Sequence, residues 1–186
     1  MGITITSIIL RKSILTEIIN KMDIRIIIAD YSNTEHGQDI IYLLNDYAND
    51  AMGGGEPLSA FTTSNLISCL ANIPNAFSIL CYIDSKPVGL ANCFEGFSTF
   101  QCKPLINIHD IVVIKKFRGQ GIAQALLQKI EDIAVKRLCC KITLEVLDGN
   151  ESGISAYKKF GFSPYELQPE YGHALFWEKK IVNEGK

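Results

Sequence analysis

No lysine or arginine occurs between Arg25 and Lys86, although Asp30, Glu35, Asp39, Asp46, Asp50, Glu56 and Asp84 all fall there. Acids without bases repel anions, so this half is expected to meet a cation and not a phosphate. The whole chain has a net charge of −2 and lacks the basic excess of a nucleic-acid binder. Its six cysteines form no CxxC pair and have no histidine-rich spacing beside them, so no metal is expected. Most lie in apolar runs, where a thiol acts as a small hydrophobe, and adjacent Cys139 and Cys140 would point to opposite sides of a strand. Reduced thiols in a cytoplasmic protein are the expectation.

Long hydrophobic runs are missing as well. ITITSIIL near the N-terminus is about eight residues long, too short to cross a bilayer. No small-residue cleavage signature follows it, and Met1, Gly2 and Thr6 fit the short N-myristoylation pattern only formally. No membrane partner is expected. Met22 is followed at once by the strand-like DIRIIIAD. One domain is therefore expected over residues 22–182, with residues 1–21 an N-terminal extension of unassigned role.

What is present centres on INIHDIVVIKKFRGQGIAQALL, from Ile106 to Leu127. It reads as an apolar strand, a basic link, a glycine turn and a helix with an apolar stripe. The turn runs Arg118, Gly119, Gln120, Gly121, Ile122, Ala123. Its glycines let backbone approach a ligand, and the helix start offers unpaired N–H groups plus the positive end of the macrodipole. Arg118 adds a cation suited to phosphate. The expected ligand bears phosphate. Gly53, Gly54 and Gly55 could imitate such a loop, but no Gly-Lys-Ser/Thr follows them and no base is near.

At 186 residues, 47% hydrophobic and 20% charged, the chain suits a single soluble domain with a full core. Strands are expected at Ile24–Ala29, Ala76–Ile83, Val88–Phe97, Ile106–Ile114, Ile142–Leu147, Phe162–Tyr165 and Ala174–Lys179. Helices are expected over Thr34–Asp50, from Ser59 or Thr62 to Asn72, from the glycine turn to Arg137, and over residues 151–160, the last capped by Asn150. That order makes an α/β protein, a mixed sheet with helices packed on it. On the first helix Asp39, Asp46 and Asp50 fall within about 40° of one another, either a solvated stripe or a lining for a cationic substrate.

From Ile108 to Phe162 these residues resemble the acetyl-CoA-binding core of the GNAT superfamily of N-acetyltransferases. One signature, Arg/Gln-x-x-Gly-x-Gly/Ala, is met by Arg118, Gly121 and Ala123. The second is met by Asn150 and by Ala156, Tyr157, Lys158, Lys159, Phe160, Gly161 and Phe162. The resemblance implies the GNAT fold, a central, mixed, splayed sheet of about six to seven strands flanked by about four helices. It further implies that backbone groups of Ile111, Val112 and Val113 bind the pantetheine arm of acetyl-CoA. Arg118, Gly119, Gln120, Gly121, Ile122, Ala123 and Gln124 would hold the pyrophosphate, Asn150 would contact pantetheine, and Tyr157 would protonate the leaving thiolate. The diamine, or spermidine-type, acetyltransferases are similar through His109, Asp110 and Val113, through Asn150 and Glu151, and through Gly172, Leu175 and Phe176. That branch carries Glu where this chain has His109.

The implied reaction is direct attack of a neutral primary amine on the thioester. Strand alternation puts Asn107, His109, Ile111 and Val113 on one face and Ile108, Asp110 and Val112 on the other. His109 is the candidate base by position and ordinary pKa; Asp110 reads as a hydrogen-bonded structural acid. Asp46, Asp50 and Glu95 are candidate substrate contacts, and Glu145 is a further acid on a strand face. The expected acceptor is a small diamine, polyamine or amino acid. A protein or peptide N-acetyltransferase and a non-catalytic CoA-sensing module are the alternatives. Edge strands near the C-terminus would allow a homodimer.

Overall fold

The computed structural model describes residues 24–165, 170, 172 and 174–181; the expected extension over residues 1–21 lies outside them. One sheet carries strands β1 (Ile24–Ile28), β2 (Ala76–Ile83), β3 (Lys86–Ser98), β4 (Lys103–Val113) and β5 (Ile142–Leu144), in that spatial order. The first three pairings are antiparallel and β4–β5 is parallel. Four helices flank it among the described residues: α1 (Thr34–Ala48), α2 (Ala60–Ala71), α3 (Ile122–Lys136) and α4 (Glu151–Phe160). The class is the mixed α/β one the sequence predicts, with a smaller sheet. Phe162–Tyr165 and Ala174–Lys179 join no strand, and Leu175, Phe176 and Trp177 are exposed. Alternating apolar residues supply strand propensity, but a strand exists only with a ladder partner. β5 likewise stops at Leu144, leaving Val146 and Leu147 exposed. None of the described helices is long and apolar enough to cross a membrane.

Local chemistry explains the connections. Asp84 and Ser85 both take positive φ, +48° and +62°, the conformation that a two-residue hairpin link between β2 and β3 requires. Asn33 caps α1 by accepting from the N–H groups of Glu35 and His36, and Ser59 caps α2 at Thr62 N–H. α1 ends at Ala48, two residues short of the expected Asp50. Asn49 folds its amide back onto the Asn45 carbonyl, at 2.7 Å, and the backbone leaves the helix there.

The sheet buries both faces. On one, Ile79, Cys81, Ala91, Ile106 and Ile108 meet Ile122, Leu126, Ile130 and Ile133 of α3. On the other, Leu80, Tyr82, Leu90 and Val112 meet Ile40 and Leu43 of α1. Two irregularities then shape the C-terminal end of β4. Asn92 pairs with Asp110 and Cys93 with Ile108, so His109 is the extra residue of a bulge. A bulge inverts the alternation beyond it. Ile106 and Ile108 therefore share a face with Ile111 and Val113, whereas unbroken alternation placed Ile108 opposite Ile111. The second irregularity is the splay. β5 pairs with β4 only from Ile106 to Ile108, and from His109 onward β4 has β3 alone beside it.

Candidate active site

The splay opens a cleft of about 500 Å3 between the end of β4, the start of α3 and the flank of α4. Lys115–Phe117 form a single 3-10 turn after β4, and Gly119 and Gly121 follow with φ of +78° and +84°. That left-handed backbone costs about 1–2 kcal/mol for a residue bearing a Cβ, which is why glycine occupies both positions. No side chain caps α3, and the first helical bond runs from Ala125 N–H to the Gly121 carbonyl. The N–H groups of Ile122, Ala123 and Gln124 thus have no intrahelical partner and border the cleft. Uncapped donors and a dipole end suit an anion.

Arg118 stands beside them. Its Nε donates to the Val113 carbonyl at 2.9 Å and its Nη2 to Asp50 Oδ2 at 2.8 Å. The guanidinium is therefore held between β4 and the segment after α1. The hydrogen bond from Arg118, followed by that from Met52 N–H, keeps the Asp50 carboxyl below the usual carboxylate range.

α4 forms the opposite wall. Asn150 caps it, its Oδ1 accepting from Gly153 N–H at 3.0 Å, and Gln124 of α3 donates to the Ala156 carbonyl at 2.9 Å, tying the helices together. Tyr157 packs its ring against the main core and edge-on to Phe162. Its hydroxyl has no hydrogen-bond partner among the described residues, and the residue borders the cleft. Burial, with the phenol of Tyr47 as a lesser cause, pushes the Tyr157 phenol up to about 12. A phenol so placed keeps its proton at neutral pH and is present as a donor to a base formed beside it.

Every residue that the sequence assigned to the cofactor borders this cleft except Gln120, whose amide donates to the Lys116 carbonyl. The candidate substrate residues separate. Asp50 borders the cleft, on the Arg118 side. Asp46 is half-buried on α1 and outside the lining. Glu95 is at the far end of β3, in an ion pair with Arg137 at 3.0 Å. Asp39, third of the expected stripe, accepts from Tyr82 OH at 2.6 Å. Glu145 accepts from Asn107 Nδ2. His109 is exposed on its bulge, edge-on to Phe94 at 5.7 Å between ring centroids, and does not line the cleft. Tyr47 and Gly153 were not singled out as site residues from sequence, and Ala156 entered only as part of the second signature. The three-residue spacing of Gly153 and Ala156, on the helix that carries Tyr157, was the available signal.

Comparison with known proteins agrees with this geometry. The profile of the Acetyltransferase (GNAT) family matches residues 41–162, and the chain belongs to that family. It is 32% identical over 97 residues to a thialysine N-epsilon-acetyltransferase of Bos taurus, covering 52% of this chain and 56% of that protein. It is 35% identical over 89 residues to an uncharacterized N-acetyltransferase of Methanocaldococcus jannaschii, covering 47% and 39%. The match thus spans about half or less of these curated relatives. Among solved structures, an aminoglycoside N-acetyltransferase in complex with CoA superposes with a TM-score of 0.64 at 15% identity, over 85% of this chain and 95% of that one. At that identity the likeness is one of fold.

Proposed function

We propose that this chain is an acetyl-CoA-dependent N-acetyltransferase acting on a primary amine of a small molecule, a diamine, polyamine or amino acid. The observation that carries the reading is the half-buried Tyr157 bordering the same cleft as Arg118 and the uncapped start of α3. The Arg118 end suits a phosphate-bearing carrier and the phenol a leaving group that needs a proton. The residues present fit that carrier: N–H groups from Ile122 to Gln124, with Arg118, would hold the pyrophosphate, and Asn150 with the unpaired edge of Ile111–Val113 the pantetheine arm. Bound acetyl-CoA supplies an activated acyl group. The amine nitrogen forms the new N–C bond, the C–S bond breaks, and Tyr157 gives its proton to the departing thiolate. The same phenol recovers a proton from solvent. His109 stands outside the cleft, so its part in taking the amine's surplus proton runs through water.

Small acceptors are favoured because the relatives include a thialysine and a glucosamine 6-phosphate N-acetyltransferase, and because the base-free stretch of sequence supplies α1 and its following loop. Six free thiols suit a cytoplasmic enzyme. The unpaired outer edges of β1 and β5 among the described strands offer places for a second copy. The test is thiol release from acetyl-CoA across diamines, amino acids, aminoglycosides and peptides. Release with at least one small amine is expected. Tight acetyl-CoA binding without release for any amine would instead make the chain a CoA-sensing module.

A further inference from the structure

The segment after α1, residues 49–57, folds on itself into a knot. The Asp50 carbonyl accepts from the N–H groups of Gly53 and Gly55 at 2.8 and 3.1 Å, and Asp50 Oδ1 accepts from Met52 N–H at 3.1 Å. Tyr47 OH donates to the Met52 carbonyl at 3.3 Å, and Glu56 N–H returns to the Ala48 carbonyl at 3.1 Å. A Cβ on Gly53 would stand 1.9 Å from the Tyr47 carbonyl oxygen, so the knot closes only around glycine. Around Gly54 and Gly55 nothing lies within 4 Å of where a Cβ would stand, so that side of the knot is open. All these bonds stay inside the knot and the last turn of α1. Among the described residues, the knot's one polar tie to the rest of the fold is the ion pair between Asp50 Oδ2 and Arg118 Nη2, at 2.8 Å. Lys115 acts on the same carboxylate without forming an ion pair.

Tyr47, Asp50 and Met52 all border the cleft, so this ion pair fastens one wall of the cleft to its phosphate end. Two demands fall on it. The first is charge. A pyrophosphate on Arg118 would stand beside the Asp50 carboxylate, and like charges a few ångströms apart repel. The second is room. A cleft of about 500 Å3 suits one drug-sized ligand; a coenzyme of nucleoside, phosphates and pantetheine arm is already larger. The wall with the weakest attachment is the one that yields. β4, α3 and α4 all contribute side chains to the main core. The knot is tied across by a single ion pair whose side chains are 45% and 26% exposed, and a pair so open to water holds weakly. Arg118 Nε keeps the Val113 carbonyl meanwhile, so the guanidinium stays in place while its other partner changes.

We propose that the Asp50–Arg118 ion pair is a latch worked by the coenzyme: the pyrophosphate takes Arg118 Nη2 from Asp50, and the knot carrying Met52 comes away and opens the cleft on the side of α1. The inference rests on the acetyl-CoA reading above and adds to it a moving wall. The displaced carboxylate is exchanged for phosphate on the same donor, so the charge-assisted bond is replaced and not lost.

The test reads the knot and not turnover. CoA is added to the full chain while amide hydrogen exchange is followed, together with the NMR signal of the Met52 methyl, one of three methionines. A bound ligand ordinarily slows exchange by stabilising the folded state; a latch predicts the reverse in one place. With CoA bound, the amides of Met52, Gly53 and Gly55 should exchange about tenfold faster, the scale of a lost hydrogen bond to a charged group. Those of Ile122, Ala123 and Gln124 should slow. In Asp50→Asn the three knot amides should exchange fast before any CoA is added, and CoA should change them little. The Met52 methyl signal of the wild type should move on CoA addition toward its position in that variant. Knot amides that hold steady or slow while Ile122 to Gln124 gain protection overturn the latch and leave the acetyl-CoA reading standing. No protection of Ile122 to Gln124 at any CoA concentration removes both.

Discussion

Tyr157 and Tyr47 border one cleft, and each has its phenol pushed upward first by burial. For Tyr157 the consequence is a donor that stays protonated through the whole working range of an enzyme. Tyr157→Phe keeps the ring packing and removes only the proton, so CoA affinity should hold while turnover falls by roughly ten- to a thousandfold; steady-state kinetics beside a binding isotherm separate the two. Asp50 makes the opposite case. Its acid was legible in the sequence, but the guanidinium it meets is 68 residues away, and helical-wheel angles say nothing about distant partners. Because Asp50 occupies an arm of Arg118, a phosphate arriving there competes with a carboxylate. Asp50→Asn should tighten CoA binding by a few fold at low ionic strength, with the gain shrinking as salt is added. Weaker binding in that variant would show that Asp50 aims Arg118 instead of restraining it.

Elements were legible where their signals are local. Asn150 as a cap, the glycine turn and the apolar stripe of α3 each depend on neighbours a few residues apart, and each appears as an element of the structure. The bulge at His109 was not legible, because inserting one residue into a ladder is a property of two strands and not of one. The same holds for Phe162–Tyr165 and Ala174–Lys179, whose alternation cannot name a partner. α4 gives an element-scale prediction. A Cβ on Gly153 would come within 2.8 Å of Asn150 Nδ2 and 3.0 Å of its Oδ1. Gly153→Ala gains up to about 1 kcal/mol of helix propensity and gives back about 1 kcal/mol of cap. Melting temperature should therefore change little, while CoA affinity falls because Asn150 is displaced from the cleft wall. A lowered melting temperature with unchanged affinity would assign Gly153 to stability alone.

Across the whole molecule, burial raises several acids that are neutral when protonated. The thiols of Cys81 and Cys93 and the phenol of Tyr157 are all pushed up to about 12, burial being the first cause each time. In the unfolded chain the thiols ionise around their ordinary pKa of 9.0 and the phenol around 10.0. Between those values and about 12 the native state binds more protons than the unfolded one, so stability falls as pH rises. The stabilisation is fully present below pH 9 and is lost above about pH 9 for the thiols and about pH 10 for the phenol, by about 1.4 kcal/mol per pH unit for each group. Melting temperature measured from pH 8 upward should stay level and then decline; a flat profile to pH 11 would contradict the burial. The seam between β4 and β5 has a kinetic consequence of its own. Three register pairs, Ile106 to Ile108 against Ile142 to Leu144, join the antiparallel part of the sheet to everything that follows α3. So short a ladder is where opening costs least, and amide deuteration should reach Ile142–Leu144 long before it reaches β2 or β3. CoA laid against the adjoining edge of β4 would bridge the two sides, and the same amides should then exchange more slowly than in the free protein.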